Sequence, residues 1–254
     1  MLCQDDLSPN ARRLLDRWQG PFLLGHTAPD VKTVSGQKRE ASHFYTIPRS
    51  SDRPAYLALF DTHPGLARVD ALSPSQAAFI AGYVAHLLLD ELWLDCVFQR
   101  YFLQDWGPLA ERLFLHNVLR TWVDLRDQAR LNGTAAQVLQ QAEPDGWLPF
   151  VDDEYIRRWR DWLVEQLTTG HRMETAKVLA DRMGIPAEEV EAVVQSPEQM
   201  ERRVFQHFPR SAMEAFRERG SRQSVRLVEW YVGLSAEGET ERSRITVGEC
   251  EPTD

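Results

Sequence analysis

The sequence Gly82-Tyr83-Val84-Ala85-His86-Leu87-Leu88-Leu89-Asp90-Glu91-Leu92-Trp93 lies in the most hydrophobic part of the chain, between Ala77 and about Leu103. As a helix, this region is apolar on nearly every side, which is typical of the buried central helix of a domain. His86 and Asp90 are four residues apart, so their side chains share one face. An ionised carboxylate that leaves water without a partner costs several kcal/mol or more. The pattern therefore predicts a partner for Asp90: a metal ion, an arginine or a polar network.

The rest of the chain has the pattern of an all-α protein. Segments with helical character alternate with glycine- and proline-containing turns, and Ser73-Pro74 predicts the start of the central helix because proline suits the first helical position. No stretch of useful length alternates apolar and polar residues as a strand does, and no internal repeat is present. We therefore expect a multi-helix bundle.

Composition narrows the classes of function. The chain has 254 residues and a net charge of −9, which disfavours binding to a phosphate backbone. Its three cysteines, Cys3, Cys96 and Cys250, have no metal-binding spacing and predict no disulfide framework, as in a reducing compartment. The acidic N-terminus does not resemble an export signal, and the longest apolar run is shorter than the roughly 20 residues of a spanning helix. These features predict a soluble cytoplasmic protein without an integral membrane segment.

Histidines and aspartates in the first half of the chain are candidate metal ligands. Imidazole and carboxylate ligands suit zinc, iron or manganese, and zinc binds them at about 2.0–2.2 Å. The same pattern also fits a buried histidine that is hydrogen-bonded to a carboxylate without any metal. We expect residues 1–133 to form a metal-binding helical core, residues 134–234 to add helices packed on it, and the polar residues 235–254 to be disordered. The candidate ligands are Asp30, His43, His86 and Asp90, followed by His26 and His116.

Three segments together resemble the zinc-dependent phospholipase C family: Gly25-His26-Thr27-Ala28-Pro29-Asp30, Ser42-His43-Phe44-Tyr45 and the His86–Asp90 helix. In that family an aspartate, a histidine in a Ser-His-Phe setting, and a histidine and aspartate four apart on one helix bind zinc. The resemblance covers roughly residues 20 to 100. It implies an all-α bundle of the phospholipase C type, with Asp30, His43, His86 and Asp90 as zinc ligands.

The chain departs from the family pattern beyond these segments. Secreted members have a further histidine shortly after the helix motif, where this chain has Trp93 and Leu94. They also use a histidine followed four residues later by glutamate, whereas this chain has His116 and Arg120. The resemblance therefore implies a reduced site in a cytoplasmic branch, with one metal and a possible second metal held through His26, His116 or shared carboxylates.

The function that this resemblance implies is metal-dependent hydrolysis of a small phosphoester, either a phosphodiester or a phosphomonoester. A metal lowers the pKa of bound water to about 7 in favourable zinc sites, which produces a nucleophile for phosphorus. Asp30 is the expected acceptor of the water proton. Arg120 or Lys38 is expected to neutralise phosphate oxygens, although Arg120 equally fits an ion pair with a nearby aspartate.

Other functions remain open on the sequence. A non-catalytic helical protein with a structural metal or a His–Asp network fits the same residues, and a sealed site would favour it. An HD-type phosphohydrolase is disfavoured because the chain has no His-Asp dipeptide. The hairpin over residues 175–194 resembles a helix-turn-helix, but Glu188, Glu189 and Glu191 lie where a recognition helix meets phosphates, so we expect no nucleic-acid partner.

Overall fold

The computed structural model describes residues 7–131, 134–169 and 174–234, and within these ranges the protein is all-α, as predicted. No strand occurs in the described ranges. The expected disordered tail, residues 235–254, lies outside them. The α-helices are α1 (Pro9–Arg17), α2 (Gln19–Gly25), α3 (Lys32–Ser35), α4 (Arg39–His43), α5 (Ala55–Thr62), α6 (Pro74–Trp93), α7 (Leu109–Gln128), α8 (Thr134–Gln140), α9 (Asp153–Thr169), α10 (Glu174–Met183), α11 (Ala187–Val194), α12 (Pro197–Gln199) and α13 (Arg210–Val232).

Shorter helical segments complete the backbone. In the described ranges, 3₁₀ turns cover Ala28–Val31, Pro64–Ala67 and Val69–Ala71. The helix α6 continues as a π-helix over Leu94–Phe102, and a second π-helix covers Met200–Phe205.

The chain divides into two compact units, each built from separated segments. In the described ranges, the first unit comprises residues 7–92, 136–164 and 218–234, and the second comprises residues 93–131, 134–135, 165–169 and 174–217. Each unit therefore contains residues from before and from after residue 133.

Helix α6 is the core helix of the first unit, as its apolar sequence predicts. It begins at Pro74, where the Ser73 hydroxyl accepts a hydrogen bond from the Gln76 backbone. Phe79, Tyr83 and eleven other residues of the helix are buried. The ring of Phe79 packs 4.9 Å from that of Trp147, between centroids. Contacts on all sides explain why so little of the helix surface is polar.

Length alone does not separate α6 from a membrane helix. In the described part of the chain, one helix, Pro74–Phe102, is long and apolar enough to cross a membrane, and it has 29 residues. The expectation that the apolar run is too short for a span therefore does not hold for the whole helix. However, 78% of its most apolar window is buried inside the protein. A core helix of a soluble protein meets the same criteria.

Two glycines let α2 and α6 approach each other closely. A Cβ on Gly25 of α2 would lie 1.9 Å from the Phe79 carbonyl oxygen, and a Cβ on Gly82 of α6 would lie 2.2 Å from the Phe22 carbonyl oxygen. Any side chain at these positions would therefore collide with backbone atoms of the facing helix. This contact brings the end of α2, and the residues that follow it, against the middle of α6.

Glu91 of α6 is fully buried, and it joins two further segments to the core helix. Its carboxylate lies 3.0 Å from Nη2 of Arg49 and accepts a hydrogen bond of 3.1 Å from the Ala55 backbone at the start of α5. These two contacts fix the loop before α5 against the core helix.

The second unit is organised around α7. Leu115, Val118 and Leu119 of this helix pack in one hydrophobic cluster with Val190 and Val193 of α11. The helices α10 and α11 form the predicted hairpin, and both contact α7. Gly184, in the turn between them, has a φ of 67°, which glycine adopts at little cost. The apolar faces of the hairpin are thus used for packing within the unit.

One prediction about the cysteines is wrong. Cys96, in the π-helix, is disulfide-bonded, whereas the sequence predicted no disulfide framework. The cysteine pattern therefore no longer supports a reducing compartment, and the cytoplasmic location remains a prediction that rests on the other features.

Candidate metal centre

Three predicted ligands come together in the first unit: Asp30, His43 and His86. They belong to the 3₁₀ turn after α2, the last position of α4 and the middle of α6. One ligand atom from each lies within 4.8 Å of the others, which is a geometry that could hold a metal ion. The close approach of α2 to α6 explains how a turn residue and a core-helix residue meet.

The tautomer of His86 follows from its hydrogen bond. Its Nδ1 lies 2.9 Å from the carbonyl oxygen of His26. A carbonyl oxygen only accepts, so Nδ1 must carry a proton, and in the neutral imidazole Nε2 then presents a lone pair. That Nε2 is buried and has no hydrogen-bond partner among the described residues. A metal ion would supply the partner that this nitrogen lacks. A carbonyl that accepts from the other ring nitrogen is a common orienting partner of a metal-bound histidine.

The tautomer of His43 follows in the same way. The Ser42 hydroxyl uses its hydrogen for a backbone carbonyl, that of Pro29 at 2.7 Å, and so accepts from Nδ1 of His43 at 3.0 Å. The Nε2 of His43 therefore also presents a lone pair, and it lies 3.7 Å from Oδ1 of Asp30. Tyr83 of α6 donates its buried hydroxyl proton to the Ser42 carbonyl, which fixes α4 against the core helix.

Burial and neighbouring positive charges lower the pKa of two histidines in this region, His43 and His26. Burial, followed by the charges of His86 and Arg39, lowers the pKa of His43 to about 2. Burial and the neighbouring His86 lower the pKa of His26 to about 4. Neutral imidazole is the form that binds metals. Where an imidazole lone pair faces a carboxylate oxygen without a proton between them, the two atoms repel each other. A cation placed between them removes that repulsion.

Asp90 borders this group, but its charge is already paired. Its Oδ2 lies 3.4 Å from Nε2 of His43 and 3.8 Å from Nε2 of His86. The same oxygen accepts a hydrogen bond of 2.6 Å from Nη2 of Arg39, and the Tyr45 hydroxyl lies 3.4 Å away. The group with metal-binding geometry is therefore Asp30, His43 and His86, and Asp90 joins it to Arg39.

The site opens toward the surface through its carboxylates. The His43 side chain is 1% exposed, whereas those of Asp30 and Asp90 are 41% and 35% exposed. A cavity of about 400 Å³ is lined by Tyr45 together with Phe44 and His63. An arrangement with buried imidazoles and a half-exposed carboxylate leaves room for a ligand, unlike the closed coordination of structural metal sites.

The backbone of Phe44 fixes the position of His43. Phe44 has a φ of 61° and a ψ of 18°, the left-handed conformation, and it ends α4 directly after His43. For a residue with a bulky side chain this conformation costs about 1–3 kcal/mol unless surrounding contacts offset it. The Phe44 ring packs against Phe150, at 5.3 Å between ring centroids, and against His63, at 6.0 Å.

The remaining predicted residues have other surroundings. His26 donates from Nδ1 to the Gly82 carbonyl at 3.3 Å and supplies its own carbonyl, not its ring, to His86. His116, in the second unit, accepts a hydrogen bond of 2.8 Å from Nε1 of Trp93 and packs among aromatic rings. Arg120 is an exposed residue of that unit, and Lys38 is exposed before α4.

Arg39 is an important residue of this region that the sequence pattern did not single out. Arg39 and His43 lie four residues apart on α4, so the spacing that drew attention to His86 and Asp90 occurs here as well. The expectation that Asp90 has a metal, an arginine or a polar network as partner is met by this arginine and Tyr45.

The fold and site define an all-α protein with a possible three-residue metal-binding group. Comparison with models of known families, with curated proteins and with solved structures finds no match for this chain. The resemblance to zinc-dependent phospholipases C accordingly stays a prediction from three short segments.

A pH-dependence prediction follows from the burial of His26. Its folded pKa of about 4 lies below the ordinary 6.5, so between these values the unfolded chain binds more protons. Stability of the metal-free protein should therefore fall as pH decreases from about 6.5 to about 4, and this residue contributes about 1.4 kcal/mol per pH unit. Denaturant unfolding at several pH values gives the free energy of unfolding as a function of pH. Over this range, its slope in His26→Gln should be smaller than in wild type by about 1.4 kcal/mol per pH unit. An unchanged pH dependence would contradict the lowered pKa of His26.

Proposed function

We propose that this protein is a metal-dependent hydrolase of a small phosphoester. The observation that carries the proposal is the convergence of Asp30, His43 and His86, with the buried Nε2 of His86 lacking a partner among the described residues. Two imidazoles and a carboxylate suit zinc, with manganese or iron as alternatives. A divalent metal held there would lower the pKa of water toward neutrality and polarise a phosphoryl oxygen.

The residues around the group have defined tasks in this proposal. Ser42 and the His26 carbonyl fix the histidine tautomers, so that both Nε2 atoms face the same point. Asp30, 41% exposed, has an oxygen near solvent that can accept the proton of an attacking water. The cavity beside Tyr45 offers space for the organic part of the ester. The arrangement of these residues supports a metal-dependent hydrolase. The choice of a phosphoester as the substrate rests on the sequence resemblance.

The rival function is a non-catalytic helical protein. The Arg39–Asp90 pair with His43 nearby is a polar network that could connect α4 to α6 without turnover of any substrate. The half-exposed Asp30 favours the hydrolase, because a purely structural site does not need an exposed ligand.

The test is elemental analysis of the purified protein together with assays of phosphomonoesters and phosphodiesters before and after chelation. We expect about one zinc, manganese or iron per chain and hydrolysis that is lost on chelation and restored by the metal. If chelation lowers the unfolding temperature while no ester is hydrolysed in any state, the structural role is correct and the hydrolase proposal is wrong.

A further inference from the structure

Arg39 is held in a fixed orientation beside the metal-binding group. Its Nη2 donates to Oδ2 of Asp90 and to the Tyr45 hydroxyl, both at 2.6 Å. The guanidinium also lies over the Tyr45 ring, 4.4 Å from the ring centroid. A planar guanidinium fixed on one edge and by one face has its remaining N–H groups preorganised for a further acceptor.

A further acceptor is missing among the described residues. The Nη1 of Arg39 is buried and has no hydrogen-bond partner there. A buried donor without a partner costs about 1–3 kcal/mol, so such an atom calls for an explanation. The Nε2 of His86, also buried and without a hydrogen-bond partner among these residues, borders the same Asp90 oxygen at 3.8 Å. One place in the structure thus combines an unused lone pair, which suits a cation, with an unused donor, which suits an anion.

The charges around the metal-binding group also favour an anionic ligand. Asp90 is paired with Arg39 at 2.6 Å, and Asp30 has Lys32 at 3.6 Å. The carboxylates are therefore balanced before any metal binds, and a divalent ion on the two imidazoles would leave the site with excess positive charge. An anion that contacts both the metal and the guanidinium would restore the balance.

We propose that Arg39 binds a charged oxygen of the phosphoryl group, through its Nη1 edge, while the same group contacts the metal at Asp30, His43 and His86. This proposal rests on the proposed function and narrows its substrates to phosphoesters that carry at least one anionic oxygen. Arginine suits the task because its fork matches two phosphate oxygens, and such charge-assisted hydrogen bonds are about twice as strong as neutral ones.

The experiment is calorimetric titration of inorganic phosphate into the folded protein, loaded with one equivalent of zinc and, separately, metal-free. The change Arg39→Gln is expected to raise the dissociation constant for phosphate about 10- to 100-fold, since it removes a hydrogen bond to a charged group. Arg39→Lys keeps the charge but loses the forked guanidinium. Its dissociation constant for phosphate should lie between those of wild type and Arg39→Gln. Arg53→Gln is the matched control, because it removes an arginine of the same unit that pairs with the exposed Asp61.

The outcomes separate this inference from the proposed function. Equal phosphate affinity in wild type and Arg39→Gln, or no phosphate binding by wild type in either state, overturns the role of Arg39. A wild type that takes up none of zinc, manganese and iron overturns the proposed function, and the metal-free titration then decides about Arg39 alone. A purely structural role would lower the unfolding midpoint of Arg39→Gln while leaving its phosphate affinity unchanged, which also counts against the proposal.

Discussion

Replacing His86 by alanine is expected to lower the affinity of the protein for zinc by more than about 100-fold. Loss of an outer partner of a metal ligand costs about 10- to 100-fold, and His86 would be a direct ligand through Nε2. Hydrolysis of any phosphoester substrate should disappear with the metal. The measurement is competition between the protein and a coloured zinc chelator, with circular dichroism to show that the helices remain.

The matched control for this change is His63→Ala. His63 belongs to the same unit and stacks on Phe150, yet it is outside the group that could hold a metal. Its zinc affinity should equal that of wild type. Wild-type zinc affinity in His86→Ala would show that the metal binds elsewhere. Hydrolysis that persists after the metal is lost would rule out the proposed mechanism.

Replacing Gly82 by alanine is expected to destabilise the folded protein by about 3 kcal/mol, at the upper end of overpacking effects. The added methyl would lie 2.2 Å from the Phe22 carbonyl oxygen and 2.8 Å from the His26 backbone nitrogen. Backbone atoms cannot rotate away as a side chain does, so α2 must move from α6. The His26 carbonyl that holds His86 would move with it, and zinc affinity should fall as well.

Denaturant unfolding followed by circular dichroism measures this effect, and Gly65→Ala serves as the control. A Cβ on Gly65 would have nothing within 4 Å, so we expect a change within about 0.5 kcal/mol. If Gly82→Ala unfolds at the same denaturant concentration as wild type, the backbone contact between α2 and α6 is not as close as described.

The sequence predicts the fold class well because the evidence for it is local. An apolar run on every side of a helix, opened by Ser73-Pro74, needs no knowledge of distant residues to indicate a buried helix. The close contact of Gly25 and Gly82 could not be predicted in this way. Whether a glycine is required for space or only tolerated depends on which helix faces it, and that is decided by the tertiary structure.

The candidate site was predictable in part. His86 and Asp90 follow from helical spacing, whereas Asp30 and His43 needed the resemblance to a family. The pairing of Arg39 with Asp90, 51 residues away, and that of Glu91 with Ala55, 36 residues away, are long-range contacts that no local pattern encodes. The role of Asp90 changed as a result, from a fourth expected ligand to a carboxylate shared with an arginine.

The short helix α4 has a wider consequence for the protein. It has five residues, whereas isolated helices need about 12–15 residues to be even marginal in water. Its position, and with it the position of His43, is therefore inherited from the surrounding packing of Phe44 and Tyr83. Folding of the first unit and binding of a metal are then thermodynamically linked, because the unfolded chain has no preformed site. Metal affinity therefore depends on the stability of this unit, and destabilising substitutions far from the ligands will lower it.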